Sequence, residues 1–276
     1  MPHLTHFLCL PLITPTSRPL LEKALHTFKD ELLHLPNTIQ TDIAGSPQHL
    51  NSLIHSRAIR PVGTLHLTLG VMSLKEEGQL ARAVELLEGV DVGGMLANTK
   101  TDPTKTKTDT SQPLCVSLSG LASMHAPART SVLYTDPHDA SNRLLPFCEQ
   151  LRDMFMKQGL IVDEKRALKL HVTVVNTIYM KGRKLQSDGS SNKEGDVEEG
   201  AEKKKQRSGR RRGAGGTVRI DARPVLERFR EFVCAEEVML DRVAICEMGA
   251  EKVVDEKTGE VVEEAYREVA VKSLVV

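Results

Sequence analysis

The chain has 276 residues, enough for one large domain or two small ones with a buried core. Lys+Arg and Asp+Glu balance at 37 each, so the global charge selects no partner, and aromatics at 3% with no Trp keep any base-stacking surface small. The five cysteines form no C-x-x-C pair, which argues against a disulfide framework or a zinc site, and no apolar run approaches the roughly 18 residues of a membrane span.

The first stretch, "MPHLTHFLCLPLITP", has an apolar run of only about eight residues and no basic n-region. It reads as a strand at 5–12 rather than a signal peptide, and the protein is expected to be soluble and intracellular. A helical pattern follows at 17–35, with Ser17 as N-cap and Pro19 in the first turn. Next come a helix-like stretch around 47–57, a strand at 64–72, and a helix within "KEEGQLARAVELLEGV" that places Leu80, Val84 and Leu87 on one stripe. Residues 98–112 are Thr/Lys/Asp repeats that bury too little apolar area to offset ordering entropy, so they are expected to form a disordered loop. Strands are expected at 113–119 and 131–135, a helix at about 141–158 ended by Gly159, and a strand within 167–179. Residues 183–217 run from acidic to strongly basic and read as a second disordered insert. A helix opened by Asp221 with Pro224 early in it, then strands at 237–246 and 265–275, complete the chain. Helices and strands mix without a Gly-rich βαβ pattern, which predicts an α+β fold with mainly antiparallel sheets.

Two of these strands carry the same unusual pattern. In "LHLTLGVM", His66 and Thr68 alternate with Leu65, Leu67 and Leu69; in "LKLHVTVVNT", Lys169, His171 and Thr173 alternate with Leu168, Leu170, Val172 and Val174. Successive side chains of a strand point to opposite faces, so each strand has a polar strip with an imidazole backed by an apolar face. A single H–apolar–T match carries little in a chain with ten histidines, and His3–Leu4–Thr5 at the terminus is read as accidental. Read singly, each histidine is a core residue with its polar atoms satisfied. The repeat inside two β-branched runs instead predicts two quasi-equivalent lobes whose polar strips face each other across a cleft.

Two facing histidines suit general acid–base chemistry, because an imidazole titrates near 6.5 and one ring can be neutral while the other is protonated. The threonine hydroxyls, one pleat away, can hydrogen-bond non-bridging phosphate oxygens. No metal or cofactor is implied: Glu76, Asp163 and Glu164 have no ligand spacing around either histidine, and there is no H-x-x-x-H, Walker or K-x-D-G signature.

At these residues the sequence resembles the two-histidine (2H) phosphoesterase superfamily, defined by two H-h-T/S-h cassettes in a bilobal fold. With "THFLCLPL" at 5–12, the segment 141–179 and "DARPVLERF" at 221–229, it resembles the branch holding the nuclear-localisation-signal domain of A-kinase anchoring proteins and subunit 1 of the activating signal cointegrator complex, the latter most closely. The resemblance covers nearly the whole chain outside the two polar tracts. It implies two antiparallel-rich sheets with outer helices facing each other across a central cleft, within one domain spanning 1–276. It also implies a phosphodiesterase acting on RNA ends or on 2′,3′-cyclic or 2′-5′ linkages, with His66, Thr68, His171 and Thr173 as catalytic residues. The alternative it carries is a non-catalytic RNA-binding subunit of a transcription coactivator or repair complex. The cointegrator subunit usually carries a KH domain before this fold, whereas this chain starts at the first strand and its one G-x-x-G, Gly213–Gly216, lies in a Gly/Arg tract. RNA affinity is therefore expected from the cleft or from "KKKQRSGRRRG" at 203–213, which also reads as a nuclear-localisation patch. Expected partners are RNA or oligonucleotide phosphodiesters and subunits of such a complex, with no membrane, in nucleus and cytoplasm. Lys169 shares the face of His171 and is a candidate phosphate contact; Phe7, Tyr134 and Tyr179 are the candidate stacking rings.

Overall fold

The computed structural model describes residues 3–34, 54–99, 113–180, 218–259 and 261–275. In chain order the elements are β1 (His6–Pro11), α1 (Arg18–His34), β2 (His66–Met72), α2 (Gln79–Glu88), α3 (Val92–Asn98), β3 (Cys115–Ser123), β4 (Val132–His138), α4 (Leu144–Lys157) and β5 (Val172–Asn176). They continue with α5 (Arg223–Arg228), β6 (Val233–Met239), β7 (Arg242–Glu247), β8 (Glu251–Val254), β9 (Val261–Ala265) and β10 (Glu268–Ser273). Two four-stranded sheets result, in the orders β10-β7-β1-β2 and β5-β4-β3-β6, antiparallel throughout, with β8 and β9 as a separate hairpin. This is the α+β, antiparallel architecture that the sequence predicts.

Each sheet takes one face of its strands into a common core. In α1, Leu21, Leu25, Phe28 and Leu32 form the buried stripe, and Phe28 packs on Phe229 and Phe232 at 4.7 and 5.4 Å between ring centroids. Ser17, directly before α1, ties the helix back to β1: its hydroxyl donates to the Leu12 carbonyl at 2.6 Å and accepts from the Thr14 N–H at 2.9 Å. In α4 the stripe is Phe147, Cys148, Leu151 and Phe155. Its first turn is held by the Asp139 carboxylate, which accepts from the backbone N–H groups of Arg143 and Leu144 at 2.6 and 2.7 Å. Gly159 follows this helix, its N–H on the Met156 carbonyl.

Several boundaries differ from the sequence reading, for identifiable reasons. The span 237–246 divides into β6 and β7, which reverse at Leu240–Asp241. The helix opened by Asp221 ends at Arg228, and the chain turns back into β6 so that Phe229 and Phe232 can reach Phe28. Helix α3 escapes the sequence reading, because "VGGMLAN" has two glycines and weak propensity; Asp91 starts it by accepting the Gly94 N–H at 2.9 Å. The hairpin β8–β9 is polar and largely exposed, so it carries no burial pattern to read. The strand within 167–179 begins only at Val172. Of the stretch 47–57, Ser56–Ala58 forms one 3₁₀ turn and residues up to 53 lie outside the described residues. The polar tracts 98–112 and 183–217, apart from Asn98 and Thr99 at the end of α3, also lie outside them, as does the basic stretch 203–213.

The two cassette strands have equivalent places. β2 is the edge of the first sheet and β5 the edge of the second. The segment ahead of each one reaches across to the other: Ile59 bridges Val175 with the Arg60 N–H on the Val174 carbonyl, and Ile161 bridges Met72 with the Val162 N–H on the Val71 carbonyl. Each strand also slips by one residue at the same point of its cassette. Leu8 pairs with Gly70 but Cys9 with Thr68, leaving Leu69 over; Leu133 pairs with Val175 but Tyr134 with Thr173, leaving Val174 over. Such a bulge ends strict alternation. Each polar strip therefore stops after its threonine, and the chain beyond returns to the core.

Candidate active site

β1 is buried along its whole length because both of its faces are covered. Leu8 and Leu10 enter the main core, while Phe7 and Cys9 join Ala244 and Cys246 in a small apolar cluster on the opposite face. His66 lies over this second cluster, half-buried, its ring centroid 4.9 Å from Phe7 and 5.3 Å from Tyr266. Its Nδ1–H donates to the Thr64 carbonyl at 2.7 Å. In the other lobe, the half-buried His171 donates Nδ1–H to the Lys169 carbonyl at 2.8 Å and meets the edge of Tyr134 at 5.4 Å. Each imidazole is thus anchored to the carbonyl two residues before it and braced by an aromatic ring from the next strand inward. Anchoring Nδ1–H this way fixes the neutral tautomer with its lone pair on Nε2. Thr68 and Thr173 follow two residues on, each half-buried.

The two rings differ electrostatically. Burial pushes the His66 pKa down to about 4; the hydrogen bond to the Thr64 carbonyl opposes this, while the positive charges of Arg60 and His171 add to it. His171 is also lowered, first by burial and then by the charges of Lys169 and Arg166, against the Lys169 carbonyl and Asp136, which raise it. His66 is therefore neutral through the physiological range. Since an unfolded chain's imidazole titrates near 6.5, the unfolded state binds more protons than the folded state between about pH 4 and 6.5. The stability that comes from keeping this ring neutral is full above that window and lost as pH falls through it. Replacing His66 by Asn is expected to flatten the pH dependence of unfolding free energy there by at most about 1.4 kcal/mol per pH unit, as read from urea melts.

The other sequence candidates divide. Phe7 and Tyr134 are 3% exposed and act as walls beneath the imidazoles. Lys169 donates to the Tyr134 hydroxyl and lies over its ring, 4.6 Å from the centroid, so its ammonium is held beside His171. Tyr179 is 42% exposed and lies next to Arg60 and near Tyr266 rather than against either histidine. Sequence reasoning misses Arg60 and Tyr266. Arg60 is 6% exposed as a residue; its guanidinium lies 4.1 Å over the Tyr179 ring and donates to the Tyr266 hydroxyl at 3.4 Å. Burial pushes the Tyr266 phenol up to about 12, so it stays protonated. Neither residue has a sequence signal. Tyr266 reaches His66 only because β9 passes close to the turn before β2, which requires Gly63: a Cβ there would sit 2.6 Å from the Glu264 carbonyl oxygen. A cavity of about 180 Å³ lies between His66, Tyr266 and Arg242, and a groove of about 970 Å³ opens beyond Arg60 and Tyr179. Among the described residues no group of three or more His, Cys, Asp or Glu side chains is arranged to hold a metal ion. Among them, too, no helix is long and apolar enough to cross a membrane.

Residues 4–257 match the family model of the AKAP7 2′5′ RNA ligase-like domain. A stretch of 126 residues, 42% of the chain, is 32% identical to activating signal cointegrator 1 complex subunit 1 of Mus musculus and covers 31% of that protein. A second relative, an uncharacterised protein of Schizosaccharomyces pombe, is 22% identical over 188 residues, 67% of this chain and 68% of that one. Among solved structures, Escherichia coli LigT complexed with 3′-AMP aligns over 99% of both chains at 12% identity and a TM-score of 0.47. A Thermus thermophilus structure aligns over 98% of both chains at 14% identity and 0.44.

Proposed function

The chain belongs to the AKAP7 2′5′ RNA ligase-like domain family, within the two-histidine phosphoesterases, and on that premise we propose that it is a metal-independent phosphodiesterase acting on RNA ends or on 2′,3′-cyclic or 2′-5′ linkages. The observation that carries this reading is the paired anchoring of His66 and His171, which leaves Nε2 of each as the reactive nitrogen at the start of two adjoining edge strands, His66 opening β2 and His171 directly preceding β5. His66, the ring held neutral, is the general base: its Nε2 takes the proton of the attacking water as the water oxygen bonds to phosphorus. His171, protonated at Nε2, gives its proton to the leaving ribose oxygen as the old P–O bond breaks. The hydroxyls of Thr68 and Thr173 donate to the non-bridging oxygens where negative charge builds up. Lys169 supplies a further positive charge beside His171. On this proposal residues 1–276 are one bilobal unit with 98–112 and 183–217 as inserts, acting in nucleus and cytoplasm.

Product analysis in EDTA buffer tests this, with 2′,3′-cyclic nucleotides, 2′-5′-linked oligoadenylate and short 3′-ended RNA over a range of pH. The expected result is turnover with a bell-shaped kcat/KM profile, its acid limb near the His66 value of about 4 and its alkaline limb, set by the lowered His171, below 6.5. These limbs belong to the coupled pair. No turnover of any of the three substrates would overturn the catalytic reading. RNA binding that depends on the histidines but brings no turnover would favour the second one, a non-catalytic subunit.

A further inference from the structure

Arg60 is a buried arginine, and among the described residues no carboxylate pairs with it. Its contacts are a neutral phenol and the face of a ring. Burying a guanidinium is unfavourable when nothing of opposite charge accompanies it, so such a site is poised for an anion. Its position matters as much as its burial. On one side it touches Tyr266, which packs on His66; it also lines the groove of about 970 Å³ together with Tyr179, Lys29 and Arg57. That groove is at the upper end of small-ligand pockets and much larger than the cavity beside His66.

The charges of the groove point the same way. Its two glutamates are committed to cations, Glu22 to Arg18 at 3.4 Å and Glu264 to Lys252 at 3.8 Å. Lys29 and Arg57 are exposed, and among the described residues neither side chain has an ionic partner. The groove is therefore electropositive, with one exposed aromatic edge. A single-stranded nucleic acid needs that combination, cations for the backbone and a ring for a base.

We propose that Arg60, Tyr179 and the groove with Lys29 and Arg57 form a second phosphate subsite, so that the two-histidine site takes single-stranded oligoribonucleotides in preference to mononucleotides. The inference rests on the phosphodiesterase reading for the identity of the site, but its test reads binding alone. The probe is the full chain carrying His171→Ala, which leaves the RNA uncut. AMP and 5′-fluorescein oligoadenylates of increasing length are compared by anisotropy. Affinity is expected to rise at least tenfold from mononucleotide to tetranucleotide and then level off. A Lys29→Glu, Arg57→Glu variant, changed only at exposed positions, is expected to weaken tetranucleotide binding about tenfold. Its salt slope should flatten by roughly 1.4, two contacts at about 0.7 each. Affinity independent of length, or unchanged in the variant, would overturn the proposal. Equal competition by oligoglutamate would overturn it too, and would assign the groove to an acidic peptide. Length-dependent binding without turnover of any substrate would sink the catalytic reading and leave the subsite standing. Turnover of cyclic mononucleotides with length-independent binding would do the reverse.

Discussion

Replacing His171 by alanine is expected to lower kcat by about 10²–10⁴, the typical worth of one general acid–base group. His66→Ala is expected to cost a similar factor, and the double variant little more than the worse single one, because base and acid serve one transition state. The pH profile separates their roles. On the proposed mechanism, rate is expected to follow the fraction of molecules with His66 neutral and His171 protonated. Without His66 the acid limb near pH 4 should disappear, and without His171 the alkaline limb should disappear. Steady-state kinetics of the three variants in EDTA checks this. Wild-type turnover in the double variant would remove the histidines from the mechanism.

Gly70→Val is expected to destabilise the protein by about 3 kcal/mol, at the upper end of overpacking costs, and to lower turnover with it. Gly70 lies just past the bulge in β2 and is buried. A Cβ there would fall 2.7 and 2.8 Å from Cδ1 and Cγ2 of Ile161. Ile161 belongs to the segment that crosses from the second lobe to bridge Met72, ten residues before His171. Pushing it away therefore loosens the seam that sets one histidine against the other. A second substitution, Ile161→Ala, should restore part of both losses, with a coupling of about 1 kcal/mol or more in a double-mutant cycle. Urea melts and kinetics on the four proteins give the answer. A Gly70→Val protein with the wild-type unfolding midpoint would show that the seam yields freely.

Much of this is legible in the sequence because it is encoded locally. The stripe of Leu21, Leu25 and Phe28, Asp221 and Pro224 at the start of α5, and Gly159 after α4 all act within a few residues. The two cassettes are local as well: alternation puts His66 with Thr68 and His171 with Thr173 whatever the rest of the chain does. Elements with weak propensity or no buried face, α3 and the β8–β9 hairpin, offer nothing to read.

Periodicity and side-chain chemistry therefore suffice for the fold class and the two polar strips. How the strips are used depends on contacts between elements far apart in the chain. The bulges at Leu69 and Val174 arise from pairing with β1 and β4, so no single strand announces them. The value of about 4 at His66 follows from burial and from Arg60, which the crossing segment brings to the seam. Tyr266 stands 200 positions along the chain from His66, the difference of their numbers, and meets it because β9 passes over the Gly63 turn. Contacts of that separation depend on every intervening element, and a residue pattern has no means of recording them.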